Sequence, residues 1–302
     1  MGEGNAGEQG HGGAAQQRVS SSLDLRLDQF LRDLDDRDAT DPAPLVIVAT
    51  GDSWFNYPLT GNIPFGTTDT IAELRDQLAD GTVMLNLAVA GDPTTEVLGV
   101  TKRNRLIRAL TQQKAPVDAI LFSGGGDDFA GDLFRFWLAE GSPDMAPEQA
   151  LSPVFDNILA IVAYGYRDLI ALRDAVVPNA KIFVHGYDYA WPTGKGVDWA
   201  GLGPWLYPSL HDRGWMTDTS PAQLTRGRAI VRMMLDRFGT VLDGLASDTV
   251  KVVPTKGVLG DNPDAWANEL HPNPAGFRAV AARFAAALAG EFSDRRVRAP
   301  GS

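Results

Sequence analysis

A serine and a histidine, far apart in the sequence, are the residues best suited to covalent chemistry. The stretch VIVATGDSWFN, residues 46–56, begins with an apolar run that leads into Gly51, Asp52 and Ser53. A serine displayed where a buried strand ends can act as a nucleophile if a neighbouring base takes its proton. Asp and Ser at such a position can also simply cap a following helix. Ser53 is therefore a candidate nucleophile whose role depends on a base.

The base must come from one of four histidines. His11 lies in a polar N-terminal segment, and His211 is expected in a solvated loop. His185 ends a predicted strand, where a buried structural histidine is the commoner case. His271 comes just before the last predicted helix and is followed by Pro272, which fixes the turn. By position, His271 is the strongest candidate for the base.

Acyl transfer also needs hydrogen-bond donors for the negative oxygen that forms in the transition state. Gly91 follows the second predicted strand and can bring its backbone N–H close to a ligand because it has no Cβ. The backbone N–H of Ser53, at the predicted start of a helix, is a second candidate. The run GGGDD, residues 124–128, supplies a third if a side chain there can donate.

The elements that must position these groups alternate between strands and helices. Five runs rich in β-branched residues are almost continuously apolar, as expected of strands covered on both faces. The alternation predicts one α/β domain in which helices cover both faces of a parallel sheet. The predicted strands are residues 44–50, 82–90, 117–124, 180–186 and 248–255. The predicted helices are residues 21–36, 69–80, 101–113, 155–176, 221–246 and 274–292.

Such sheets bind their ligands at the carboxyl ends of the strands. The predicted strands are followed in turn by Ser53, by Gly91, by residues 123–129, by residues 185–192 and by the loop 256–273 that carries His271. The candidate groups are therefore expected to converge on one edge of the sheet.

Composition limits the classes of partner. The net charge of −11 argues against binding to nucleic acid or to an anionic membrane. The absence of cysteine excludes disulfides, thiolate metal sites and cysteine nucleophiles. No apolar segment is long enough to span a bilayer, and the N-terminus lacks the apolar core of a signal peptide. A cytoplasmic location is therefore expected, although a leader removed beforehand would leave no trace in this sequence. Residues 1–22 and 294–302 are predicted to be disordered tails that flank one domain, residues 23–293.

Four short blocks, in this order, resemble the SGNH or GDSL-type hydrolases. They are Gly51-Asp52-Ser53, Gly91, Gly125-Gly126-Asp127-Asp128 and NELHPN, residues 268–273. The resemblance implies a three-layer α/β/α, flavodoxin-like fold with a five-stranded parallel sheet in the order 2-1-3-4-5. It also implies ester or thioester hydrolysis with no metal or other cofactor. Ser53 would be the nucleophile and a backbone donor, Gly91 a second donor and His271 the base.

Two positions depart from the family pattern. An asparagine that donates to the oxyanion is replaced by Asp127, and an acid three residues before the histidine is replaced by Asn268. Three explanations stay open for Asp127: a protonated carboxyl that donates, an ionised one that stabilises the imidazolium of His271, or a weakened site. Besides Asn268, a backbone carbonyl, Asp264 or Glu269 could orient the histidine.

Carboxylates and aromatic residues are expected to support the site. Asp52 and Asp128 are neighbours of the candidate nucleophile and of the third oxyanion donor. Two long connections, residues 130–150 and 192–218, are expected to shape the substrate cleft or to form an irregular lid. At least half of the aromatic residues near the strand ends are expected to pack in the core. The others are expected to line an acyl pocket or to stack on a sugar ring. Those assigned to the cleft are Trp54, Tyr187, Trp191 and Trp266.

The sequence therefore predicts a serine-dependent ester hydrolase that forms an acyl-enzyme with a small-molecule, lipid or carbohydrate ester. The alternative is an SGNH-like protein that binds such a molecule in the same cleft without turnover, which Asp127 and Asn268 favour. A scaffold that docks partners through its acidic surface has only the net charge in its favour. The phosphatase-like string DRDAT, residues 36–40, follows a helix instead of an apolar strand and predicts a solvated acidic turn.

Overall fold

A five-stranded parallel sheet forms the centre of the computed structural model, which describes residues 22–34, 44–64, 66–112 and 115–293. The strands are β1 (Val46–Gly51), β2 (Val83–Asn86), β3 (Ala119–Ser123), β4 (Lys181–His185) and β5 (Val250–Val253). Their order is β2-β1-β3-β4-β5, and every pairing is parallel. The predicted fold class and strand order are confirmed.

Helices cover both faces of this sheet. They are α1 (22–34), α2 (Thr70–Arg75), α3 (Thr94–Val97), α4 (Val100–Thr111), α5 (Gly126–Phe129), α6 (Phe134–Trp137), α7 (Phe155–Val176), α8 (Tyr207–Asp212), α9 (Pro221–Asp243) and α10 (Pro274–Glu291). Helix α2 packs against α10, whereas α3, α4, α7 and α9 pack against one another in succession. The two groups of helices enclose the sheet between them.

The core follows from the apolar patterns of the strands and helices. Residues 46–49 of β1 are completely buried, because helices cover the strand on both sides. Helix α1 buries Leu23, Leu27, Phe30 and Leu34, which share one face of an α-helix. This continuous burial explains why the strands lack an alternation of polar and apolar residues.

The segment after β1 differs from the prediction. No regular helix begins at Ser53; residues 52–56 form a single turn in which Phe55 N and Asn56 N donate to Asp52 O, at 3.1 and 3.2 Å. Pro58 follows within two residues and disfavours a longer helix, so the next helix begins only at Thr70.

Strand β2 also ends four residues earlier than predicted. The Asn86 side chain donates to Phe55 O at 2.6 Å and accepts from Ala88 N at 3.0 Å, while Leu87 N and Val89 N still donate to Ala49 O and Gly51 O of β1, at 2.7 and 2.9 Å. Gly91 therefore lies in a loop, five residues beyond the last residue of the strand.

Part of the sequence prediction falls on residues that the structure does not describe. The two predicted tails lie outside the described residues, apart from Ser22, which belongs to α1, and so does the predicted DRDAT turn. The domain boundaries remain predictions. Within the described ranges, no helix combines the length and the apolar character needed to cross a membrane.

Candidate active site

Ser53 is held at the carboxyl edge of the sheet by a close contact between β1 and β3. Gly51 has a φ of +144°, and a Cβ there would lie only 2.1 Å from the backbone oxygen of Ser123. Asp52 N donates to that same oxygen at 3.1 Å. Only glycine allows this approach, which fixes the turn that carries Ser53.

Asp52 is buried beneath this turn and accepts three hydrogen bonds. Its Oδ1 accepts from Ser123 Oγ at 2.6 Å and from Trp54 N at 3.0 Å, and its Oδ2 accepts from the Tyr187 hydroxyl. The Tyr187 oxygen in turn accepts from Gly126 N at 2.8 Å. Burial raises the pKa of Asp52, and the three hydrogen bonds oppose that rise. Asp52 thereby joins the ends of β1, β3 and β4.

His271 contacts Ser53 directly. His271 Nε2 lies 2.7 Å from Ser53 Oγ, and His271 Nδ1 lies 2.9 Å from Asn268 Oδ1. The Tyr57 ring stacks on the imidazole at 4.0 Å between ring centroids. Burial lowers the pKa of His271 to about 3, so the ring is neutral at pH 7. With Nδ1–H facing an acceptor, the Nε2 lone pair can take the serine proton.

The loop that carries His271 is tightly closed. Ala267 N donates to His271 O at 2.9 Å, and the Asn273 side chain caps the first turn of α10. Trp54 Nε1 donates to Leu270 O at 2.9 Å and so ties this loop to the turn after β1. These bonds bring together two segments that are more than two hundred residues apart in sequence.

Asp127 has a buried oxygen without a hydrogen-bond partner. Its Oδ2 finds none in the described part of the chain, whereas Asp128 accepts two bonds of 2.8 Å from Thr94 and so fastens α5 to α3. Burial raises the pKa of Asp127 well above its ordinary range, and the nearby charges of Asp52, Asp128 and Asp92 raise it further. An unpaired buried carboxylate is costly, so these surroundings favour the protonated form of Asp127, the form that can donate a hydrogen bond.

The backbone N–H groups of two predicted oxyanion donors, Ser53 and Gly91, are free to donate. Within the described ranges, the N–H groups of Ser53 and Gly91 take part in no hydrogen bond. Gly91 has a φ of +83° and is exposed, with nothing within 4 Å of the position that a Cβ would occupy. It is not among the residues that line the cavity beside Ser53.

That cavity has a volume of about 40 Å³ and is lined mainly by apolar side chains. Its polar lining consists of Ser53 and the acidic residues Asp52, Asp127 and Asp188. Three of the four aromatic residues assigned to the cleft line it, namely Trp54, Tyr187 and Trp266. The rest of its apolar wall is formed by Phe129, Ala130, Ala190, Leu206, Val231, Met234, Leu235 and Leu270.

Trp191 is not part of this cavity, so its assignment to the cleft is corrected. The Arg228 guanidinium of α9 lies over its ring, 4.1 Å from the centroid. This cation–π contact holds the indole in a separate groove beside Asp261.

Neither acid suggested as an alternative partner of His271 occupies that position. Asp264 is exposed in the short 3₁₀ helix Pro263–Ala265. Glu269 is completely buried and points towards the long connection 192–218. Its carboxylate, whose pKa is raised by burial, accepts backbone N–H bonds of 2.6 to 3.0 Å from Gly194, Trp205, Leu206 and Tyr207. This connection is therefore fastened to the histidine loop, includes the helix α8 and contributes Leu206 to the cavity wall, as expected of a connection that shapes the cleft.

The other buried histidine, His185, is structural, as expected. His185 and Ser123 are both completely buried, with 2.9 Å between His185 Nε2 and Ser123 Oγ. Tyr187 N donates to His185 Nδ1 at 3.3 Å, so the ring proton is on Nε2 and points at the serine oxygen. This histidine cannot accept the Ser123 proton, which is donated to Asp52.

Two residues that contact Asn268 are not predicted from the sequence as site residues. Asn268 Nδ2 donates to the Tyr57 hydroxyl at 2.9 Å and to Asn62 Oδ1 at 3.0 Å. Tyr57 is predicted only as one of several aromatic residues near the site. Asn62, in the stretch TGNIP, has no signal beyond that of a turn residue.

Solved structures of other proteins resemble this fold. The lipase Lip_vut3 from a goat rumen metagenome has a TM-score of 0.54 and 16% identity, covering 80% of this chain and 97% of that one. The native aryl esterase of M. smegmatis has a TM-score of 0.48 and 13% identity, covering 82% and 100%. At such identities a likeness concerns the fold alone, and of these two only the lipase has a TM-score above 0.5. A search of curated proteins found no match.

The sequence itself matches the family described as GDSL-like Lipase/Acylhydrolase over residues 49–279. This range includes Ser53, Gly91, Asp127 and His271 and confirms the resemblance to SGNH hydrolases. Because the match covers most of the chain, the protein belongs to the GDSL-like lipase/acylhydrolase family, whose members hydrolyse carboxylic ester bonds.

Proposed function

We propose that this chain hydrolyses esters with Ser53 as the nucleophile and His271 as its general base. The supporting observation is the 2.7 Å contact between Ser53 Oγ and Nε2 of a neutral imidazole. The serine proton passes to Nε2 while Oγ bonds to the carbonyl carbon. The imidazolium then protonates the leaving alkoxide, which gives an acyl-enzyme. Water attacks this ester with His271 again as base, and the acid is released.

The oxyanion would accept hydrogen bonds from the backbone N–H groups of Ser53 and Gly91 and from the carboxyl group of Asp127. An ionised Asp127 would repel the oxyanion, so the donor must be the protonated form. The carboxylate of Asp52 supports this assignment, since its three hydrogen bonds favour a negative charge there. A second charge on Asp127, without a partner, would be opposed by both burial and repulsion.

Asn268 lowers the expected rate without abolishing it. An amide carries no charge, so it stabilises the imidazolium of His271 less than an acid would. Replacing the triad acid of a serine protease by asparagine costs about 10⁴-fold, because the amide favours the wrong tautomer of the histidine. Here Asn268 Oδ1 faces Nδ1 at 2.9 Å, which favours the productive tautomer.

The cavity favours a short aliphatic acyl group. Ser53 and Asp127 belong to its lining together with the apolar side chains of Val231, Met234 and Leu235 of α9. Each CH₂ buried in an apolar site contributes about 0.8 kcal/mol, or roughly fourfold in kcat/KM. We therefore expect kcat/KM to rise with chain length until the cavity is filled and to fall beyond that length.

Hydrolysis of p-nitrophenyl esters, from acetate to octanoate, tests this function. Ser53→Ala is expected to lose at least about 10³-fold in kcat. Met234→Ala enlarges the cavity and is expected to move the optimum to longer acyl chains, whereas Thr240→Ala, at an exposed position of the same helix, leaves it unchanged. If folded wild-type protein and Ser53→Ala hydrolyse every ester equally slowly, the proposal fails and binding without turnover is favoured.

A further inference from the structure

The orientation of the Asn268 amide decides whether His271 can act as a base. If Asn268 Oδ1 faces His271 Nδ1, the ring proton is on Nδ1 and the Nε2 lone pair faces Ser53. If the amide turned over, its NH₂ group would face Nδ1 and the ring proton would move to Nε2. The imidazole would then donate to Ser53 Oγ and could not take its proton.

Four hydrogen bonds fix the productive orientation of this amide, besides the one to the imidazole. Asn268 Oδ1 accepts from the backbone N–H groups of Leu270 and His271, each at 3.0 Å. Asn268 Nδ2 donates to the Tyr57 hydroxyl at 2.9 Å and to Asn62 Oδ1 at 3.0 Å. A turned amide would place its donors against backbone donors and its oxygen against Asn62 Oδ1.

Asn62 could satisfy a turned Asn268 only by turning over itself, and its own surroundings prevent this. Its Nδ2 donates to the backbone oxygens of Gly196 and Ala267, at 3.1 and 2.9 Å. Carbonyl oxygens only accept hydrogen bonds, so the Asn62 oxygen must point away from them and towards Asn268. The backbone oxygens of Gly196 and Ala267 therefore fix the orientation of the Asn62 amide. Asn62 in turn favours one orientation of the Asn268 amide, and that orientation favours one tautomer of His271.

Tyr57 completes this arrangement. Its hydroxyl accepts from Asn268 Nδ2 and lies 3.4 Å from Asn62 Oδ1, to which it can donate. Burial raises the pKa of Tyr57 to about 12, so the phenol keeps the proton needed for that second bond.

We propose that Asn62 is a positioning residue that, through Asn268, holds His271 in the tautomer with its proton on Nδ1. This inference deepens the function proposed above and rests on it for its effect on turnover. Asn62 touches neither Ser53 nor His271 in any hydrogen bond of the described residues. Its effect should therefore fall on kcat and on the ring tautomer, and not on KM.

The experiment compares wild type, Asn62→Ala, Asn268→Asp and the double variant. The tautomer is read from the ¹⁵N chemical shifts of ¹⁵N-histidine-labelled protein, with His271 assigned by His271→Gln. Asn62→Ala is expected to show the Nε2–H form beside the Nδ1–H form, with at least about a tenfold loss in kcat and less than about a twofold change in KM. An ionised aspartate at position 268 has two acceptor oxygens and no N–H group, so it faces His271 Nδ1 with an acceptor in either orientation. In the Asn268→Asp background, Asn62→Ala should therefore lower kcat less than about twofold.

A second variant guards against a loss of folding in Asn62→Ala. Tyr57→Phe keeps the ring that stacks on His271 and removes one acceptor of the Asn268 amide, so it should change the tautomer in the same direction. The inference is overturned if both variants keep the wild-type tautomer. It is also overturned if Asn62→Ala lowers kcat as much in the Asn268→Asp background as it does in the wild-type background. If wild type proves inactive on esters, the proposed function fails, while the ¹⁵N shifts still decide the role of Asn62.

Discussion

Replacing Asp127 by asparagine distinguishes a neutral donor from an ionised carboxylate at the oxyanion. Asp127 Oδ2 is buried and has no partner among the described residues, and burial raises the pKa of this carboxyl well above its ordinary range. Only the protonated form can donate, so wild-type activity should be lost as the pH rises through that raised pKa. An asparagine amide donates at every pH and should keep its activity.

The size of the effect follows from the loss of one donor. Removing a single oxyanion donor typically costs about 10²–10³ in kcat, or roughly 2.7–4 kcal/mol. Asp127→Ala should show this loss at neutral pH. Asp127→Asn should stay within about tenfold of wild type at the same pH, because one donor is kept. At pH values above the pKa of Asp127, wild type should lose about tenfold per pH unit relative to Asp127→Asn.

The assay is kcat/KM for a short-chain p-nitrophenyl ester between about pH 5 and 10, corrected for spontaneous hydrolysis. Asp132→Asn, an exposed carboxylate in the adjacent segment, serves as the matched control and should follow wild type. The reasoning is refuted if Asp127→Asn is as inactive as Asp127→Ala, since Asp127 would then act through its charge. An unchanged alkaline loss in Asp127→Asn would refute it as well.

Three buried features predict changes in stability that denaturant unfolding would measure. Gly51→Ala should lower the free energy of unfolding by about 3 kcal/mol or more, because a Cβ would overlap the Ser123 oxygen, and an unchanged midpoint would contradict that contact. Burial lowers the pKa of His185 to about 3. Below pH 6.5 this histidine is therefore protonated in the unfolded chain but stays neutral in the folded chain, so the free energy of unfolding of wild type decreases as the pH falls. His185→Gln should reduce that slope by up to about 1.4 kcal/mol per pH unit, whereas parallel curves would contradict the assignment. Glu269→Gln places an NH₂ group against two backbone donors and should lower the free energy of unfolding by about 2–3 kcal/mol. Proteolysis in the loop 192–218 should also become faster. If the variant resists protease as well as wild type does, Glu269 does not hold this loop in place.

The main architecture could be predicted because it depends on local pattern. Apolar runs of strand length, separated by amphipathic segments, specify a covered parallel sheet, and strand ends in such a sheet meet at one edge. That rule alone places Ser53 and His271 on the same side of the molecule. It does not give the 2.7 Å contact between them, which depends on how the two loops close.

Side-chain partners across loops could not be predicted. Asn62 and Asn268 are 206 residues apart, and neither belongs to a regular element whose period would show which way it points. The sequence places Trp191 near the cleft because it follows β4, yet the Arg228 guanidinium of α9 decides where its ring lies. Position relative to a strand end predicts the neighbourhood of a residue but not the direction of its side chain.

Reaction with a fluorophosphonate, followed by intact mass and peptide mapping, tests the central claim most directly. Such a probe reacts much faster with a serine whose oxygen is activated by a nearby base than with other serines. We predict one phosphonyl group per folded chain, located on Ser53, absent from Ser53→Ala and formed much more slowly in His271→Gln. Folded wild-type protein that stays unlabelled, or that carries the label on another serine, would contradict the account.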